Sequence, residues 1–198
     1  MNFNLNDASY DAKDVAIFND GVAGIVENVT LSVSKKTAED KEKAPDYKLT
    51  FTDASGAICN SSFWYVTEAT AYKTVDELIK SQGTVLKHII HAIYGADYQI
   101  PVNATTAQQL LDQSMKIIRE GLVSGLKFRM FANYGSTQSI KKYIQPRSWV
   151  PFLEPMTVAI ENTRLEVGKI DAMVRLEADN VGTTSGAQGT AVANTDDW

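Results

Sequence analysis

Tyr47-Lys48-Leu49-Thr50-Phe51-Thr52, then Asp53-Ala54-Ser55-Gly56, then Ala57-Ile58-Cys59-Asn60-Ser61-Ser62-Phe63-Trp64-Tyr65-Val66: the reading of these twenty residues decides the fold. Tyr47, Leu49 and Phe51 alternate with Lys48, Thr50 and Thr52, which is the period of a strand with one buried face. The next four residues are small and polar and end in glycine, as a hairpin connection prefers. Residues 57–66 are rich in strand formers. Adjacent strand residues point to opposite faces, so either Phe63 and Tyr65 or Trp64 must leave the core.

Upstream, residues 24–34 place Ile25, Val29, Leu31 and Val33 among polar neighbours and predict a first strand. The charged stretch 35–46, with Pro45, reads as the loop between the strands. Downstream the period changes. Thr74 and Glu77 form a capping-box signature ahead of Val75, Leu78, Ile79, Leu86, Ile89, Ile90 and Ile93 on one helical face, with Gly83 a candidate break and Gly95 a candidate stop. Thr106 and Gln109 open a second helix, with Ala107, Leu110, Leu111, Ile117 and Ile118 on its buried side, ending near Gly121.

Alternation returns over residues 126–132, with Leu126, Phe128 and Met130 on one face and Lys127, Arg129 and Phe131 on the other. A turn at 133–136 leads to a fifth strand at 140–144. Pro146, Pro151 and Pro155 exclude a regular central strand between them, and short edge strands are expected at 157–160 and 164–167. From Glu177 the composition is Gly, Thr, Ala, Ser and Asn with little to bury, which predicts a disordered acidic tail. No internal repeat marks a solenoid.

The expected plan is thus β-β-β-α-α-β-β over residues 1–176, followed by the tail at 177–198. Three strands, a helical insert and two strands is the order of the five-stranded oligonucleotide-binding barrel, a partly open Greek key that binds ligands across its second and third strands. Other small mixed α+β folds share the early part of this order.

The single cysteine, Cys59, excludes an internal disulfide and a cysteine-built zinc site, and it points to a reducing compartment. Met1 to Tyr10 lacks the basic and apolar regions of a signal peptide, and no apolar run approaches the roughly 18 residues a spanning helix needs. The net charge of −5 hides its distribution. Residues 1–176 hold 19 bases against 20 acids, and residues 116–147 hold seven bases against Glu120 alone.

Within that basic stretch, cations interleave with aromatics: Lys127, Arg129, Phe131, Tyr134, Lys141, Lys142, Tyr143, Arg147, Trp149 and Phe152. Single-strand binders combine these types because cations track phosphates while rings stack on bases. Phe128 belongs to the core by its face. The plainer alternative for the rest is a solvated basic surface with ordinary aromatics. His88 and His91, three apart on the first helix, lack a third ligand at a recognisable spacing, so no metal site is assigned. No nucleophile elbow, phosphate-cradling loop or dinucleotide fingerprint occurs, so neither an enzyme nor a cofactor is expected.

Gly24-Ile25-Val26-Glu27-Asn28-Val29, Tyr47-Lys48-Leu49-Thr50-Phe51, Phe63-Trp64 and Trp149-Val150-Pro151-Phe152-Leu153-Glu154 together resemble segments of the single-stranded DNA-binding proteins of tailed-phage replication modules. The resemblance spans roughly residues 20–175. It implies a non-enzymatic, largely sequence-independent coat for single-stranded DNA in phage replication and recombination, acting in the host cytoplasm. Phosphate contacts are expected from Lys127, Arg129, Lys141, Lys142 and Arg147, and stacking from Trp64, Phe131, Tyr134 and Tyr143. The tail ending Asp196-Asp197-Trp198 is similar to tails that recruit replication proteins. Homo-oligomerisation is compatible with the sequence. The alternative from another class is a phage structural or assembly protein whose domain makes protein contacts.

Overall fold

A computed structural model describes residues 18–133, 145–146 and 151–165. The expected fifth strand at 140–144 and the tail at 177–198 lie outside the described residues.

The hairpin forms as the alternation requires. β2 (Tyr47–Thr52) pairs antiparallel with β3 (Ile58–Phe63), from Tyr47 opposite Phe63 to Thr52 opposite Ile58. Its turn is held by Asp53, whose Oδ1 accepts from the amides of Ser55 and Ala57 and from the Ser55 hydroxyl. β3 ends three residues before its expected limit because β2 has no residue to pair beyond Tyr47. The Tyr65 amide donates instead to the Asp46 carboxylate, at 2.7 Å.

β1 (Gly24–Lys35) is shared. Residues 30–35 pair with β2, while residues 24–29 pair with β4 (Phe128–Asn133). The change of partner falls at a register shift between Val26 and Val29, where Asn28 adopts φ +60°. A bulge of this kind bends a strand and increases its twist, which lets one strand serve two ladders. The other edge of β4 is divided. Ala132 and Asn133 pair with β5 (Gln145–Pro146), and Phe128 to Met130 pair with β6 (Leu153–Pro155).

The hydrogen-bonded order is therefore β3-β2-β1-β4-β5, with β6 beside β4. The sheet curls enough for β5 to come alongside β3, yet no ladder joins them among the described residues. The expected partly open five-stranded barrel is found, among the described residues, as an open antiparallel sheet with two helices and not as a closed barrel. Among the described residues β5 is Gln145–Pro146, and Pro146 has no N–H to donate to a ladder. Residues 157–160 are likewise not an edge strand. The Val158 amide closes a turn onto Pro155, and a 3-10 turn follows at Ile160–Asn162.

Two helices close the core. α1 (Val75–Tyr94) begins at the predicted capping box, with the Thr74 side chain accepting from the Glu77 amide and the Glu77 carboxylate accepting from the Thr74 amide. It runs unbroken through Gly83 and stops at Gly95, where φ is +101°. α2 (Ala107–Gly121) is capped by Thr106, but Gln109 answers the amide and hydroxyl of Thr105 instead of the cap residue. α1 packs on α2 and on β6, and α2 reaches β1. Leu86, Ile89 and Ile90 from α1 and Leu111, Met115 and Ile118 from α2 meet Val29, Leu49, Phe51, Phe63, Phe128 and Met130 from the sheet. Phe152 completes this core with its ring edge-on to Phe51.

Candidate nucleic-acid interface

The alternation that buries Tyr47, Leu49 and Phe51 turns Lys48, Thr50 and Thr52 outward. Strand register then fixes their neighbours. Thr30, Ser32 and Ser34 of β1 lie opposite Thr52, Thr50 and Lys48, and on the other side stand Ile58, Asn60 and Ser62 of β3. No described residue covers the resulting face, which is rich in hydroxyls and cross-linked by the Thr50 hydroxyl bonding to Asn60 Oδ1 at 2.8 Å. Trp64 leaves the end of β3 on the outward side, 49% exposed, while Phe63 is buried and Tyr65 packs on the core. The Trp64 carbonyl accepts from Gln82 of α1, which ties the aromatic position to the helix.

Next to Lys48 the β1–β2 connection forms a shallow notch of about 310 Å³, lined by Lys35, Lys36, Thr37, Asp40 and Lys48. The Asp40 carboxylate accepts from the Thr37 amide and hydroxyl, which hold it below the usual carboxylate range. Lys35 Nζ lies 3.1 Å from Asp112 of α2 and over the Tyr47 ring, and these neighbours raise its pKa above the ordinary lysine value. Asp112 is a hub, accepting also from the hydroxyls of Tyr47 and Tyr65. Partial burial pushes its carboxyl up, but the bonds from Tyr47, Tyr65 and Lys35 outweigh that and hold it low. The cluster fixes α2 against the end of the β1–β2 pair.

The expected site residues are dispersed by the fold. Trp64 and Lys127 are exposed. Arg129 is corrected: it is 4% exposed and bonds to Glu154 at 2.7 Å, to Glu27 at 3.0 Å and to the Val158 carbonyl. Its charge is neutralised inside the protein, so it is not an available phosphate contact. Phe131 is also corrected, since it is fully buried and presents no ring face for stacking. For Arg129 the cause is the neighbouring segment: Glu154 stands beside it across the β4–β6 ladder and the Val158 carbonyl accepts from it. Tyr134, Lys141, Lys142, Tyr143, Arg147, Asp196, Asp197 and Trp198 lie outside the described residues, as does Trp149.

Lys48 and Asn60 were not among the expected site residues. For Lys48 a signal was present, because the hairpin alternation already placed it outward, whereas Asn60 is set beside Thr50 by the particular register of the β2–β3 ladder. Among the described residues, no group of three or more His, Cys, Asp or Glu side chains could hold a metal ion, and no helix is long and apolar enough to cross a membrane. Comparison with protein-family models, with curated proteins and with solved structures gives no match in any of the three.

Proposed function

We propose that the protein binds single-stranded DNA without strong sequence preference and coats it during phage replication or recombination in the host cytoplasm, with no catalytic role. The observation that carries this reading is the β1–β2–β3 face, which no described residue covers, with exposed Trp64 and the Lys36–Lys48 notch both at the end where Lys35, Tyr47 and Phe63 stand in register. Its support from architecture is the strand order β3-β2-β1-β4-β5 with two helices between β3 and β4, which is the plan of an oligonucleotide-binding barrel. That fold-level support is analogy, because one fold serves many functions. The tail ending in Asp196, Asp197 and Trp198 is assigned to recruiting replication proteins.

The test is a fluorescence-anisotropy titration with labelled single-stranded DNA, double-stranded DNA and RNA across a salt series. Preferential single-strand binding that weakens with salt supports the reading. Trp64→Ala is expected to cost about 1–3 kcal/mol of that binding, the worth of one stacked base. Absence of binding at low salt, in full-length and tail-deleted protein alike, would sink it.

One observation favours the second reading, a structural or assembly protein of a phage particle. The outward face itself carries hydroxyls, Asn60, Ile58 and a single cation, Lys48, which suits a protein contact as well as a polyanion. Stable incorporation into particles together with indifference to DNA would select it.

A further inference from the structure

A cavity of about 310 Å³ lies between the C-terminal half of α1 and residues 151–164, away from the hydroxyl-lined face. Its walls are mostly carbon, from Ala92, Leu153, Pro155 and Val158. The one carboxylate there, Glu154, is fully engaged. Oε1 accepts from Arg129 and from the Thr163 hydroxyl, and Oε2 accepts from the Arg164 amide. The site therefore favours an apolar group over a nucleobase, whose edge needs several uncommitted partners.

The rim has the opposite character. His88 and His91 stand one helical turn apart on α1, with exposed Arg164 across from them. Past His91 and Ala96 the surface continues into a second depression lined by Lys87, Tyr98 and Gln99. Lys80, Lys87 and His91 share one face of α1, at the i, i+7 and i+11 positions. Every acid of the helix, Asp76 and Glu77, lies in its first turn. With Lys87, His91 and Arg164 on its open side, the apolar cavity is complementary to an apolar anchor flanked by carboxylates.

We propose that this groove docks a peptide segment of a partner protein that sets a bulky apolar side chain beside acidic residues. The apolar side chain enters the cavity, and the flanking carboxylates meet Lys87, His91 and Arg164. The assignment is independent of the single-strand reading and would survive its failure.

The test uses the full-length chain and a fluorescein-labelled acetyl-Asp-Glu-Phe-Asp-Asp amide, followed by anisotropy. Saturable binding that weakens with salt is expected. The Lys87→Glu/Arg164→Glu double variant changes only exposed side chains and should weaken binding on the order of tenfold. Val158→Trp should abolish binding by filling the cavity, and if that variant fails to fold the double variant decides alone. Equal binding by a Lys-flanked or Ala-centred peptide, no saturable binding, or unchanged affinity in the double variant would overturn the proposal. Competitive displacement of the peptide by dAMP would overturn it too, by assigning the cavity to a nucleotide.

Discussion

Truncating Arg129 to Ala would leave the Glu154 carboxylate buried with, among the described residues, only the Thr163 hydroxyl and the Arg164 amide bonding to it. Breaking a buried pair from one side typically costs about 3–5 kcal/mol, so Arg129→Ala is expected to lower the urea midpoint strongly. If the protein binds single-stranded DNA as proposed, the same variant should leave the salt slope of that binding unchanged, whereas removing exposed Lys127, one of the proposed phosphate contacts, should reduce it by about 0.7. A reduced slope for refolded Arg129→Ala would restore Arg129 as a phosphate contact. Cys59, on the inward side of β3, gives a second residue-level expectation. Burial, with Asp53 nearby, pushes its thiol pKa up to about 12, so a thiol reagent at pH 8 should fail to label native protein and label it rapidly in denaturant. Native labelling at the free-thiol rate would contradict the inward placement. These two residues also mark what the sequence discloses. Alternation correctly set Arg129 and Phe131 on one side of their strand, but it carries no information about what covers that side. The partners that bury Arg129, Glu154 and the Val158 carbonyl, lie in a proline-flanked stretch 25 and 29 positions downstream, with no periodicity to announce it.

Between elements, close approach matters most where α1 meets α2. A Cβ built on Gly121 would sit 2.5 Å from Ile93 Cγ2 and 2.6 Å from Tyr94 Cζ, and Tyr94 is held there by its hydroxyl bonding the Ile117 carbonyl. Gly121→Ala is thus expected to destabilise by about 1–3 kcal/mol through overpacking. Gly83 makes the contrast. It lies mid-helix with only Leu110 Cδ2 nearby, at 3.9 Å, so Gly83→Ala should stabilise by about 0.5–1 kcal/mol. Thermal melts of the two variants check both signs, and a shared sign would refute this account of the helix pair. Elements whose signals are local were legible: both helices begin at their capping residues, and the hairpin closes at Asp53-Ala54-Ser55-Gly56. β6 was not, because Leu153-Glu154-Pro155 is a strand only by virtue of the β4 edge it meets. Gly83 misled for a related reason, since the propensity that would break an isolated helix yields to packing against α2.

For the molecule as a whole, Asp112 and Glu154 tie distant parts of the chain, and both are held below the usual carboxylate range. For Glu154, burial pushes the carboxyl up, and the bonds from Thr163, Arg129 and the Arg164 amide more than reverse it. A depressed folded pKa contributes stability above the unfolded value, about 4 for a carboxylate, and that stability is lost as pH falls through the folded value. Stability should therefore be flat near neutrality and fall below about pH 4, and Asp112→Asn should make the acid limb shallower in urea titrations at stepped pH. An unchanged limb would remove Asp112 from the account. The β1 strand carries a consequence of a different kind, one of timing. Its C-terminal half finds β2 within a few tens of residues, but its N-terminal half waits for β4, with Glu27 and Arg129 separated by 102 positions. At about 5–20 residues per second, a ribosome takes on the order of 5–20 s to cover that distance. During synthesis the hairpin can be in place while half of β1 is still a bare edge, so the interval between two ladders on one strand is the period in which the nascent chain is most exposed to pairing with a neighbour.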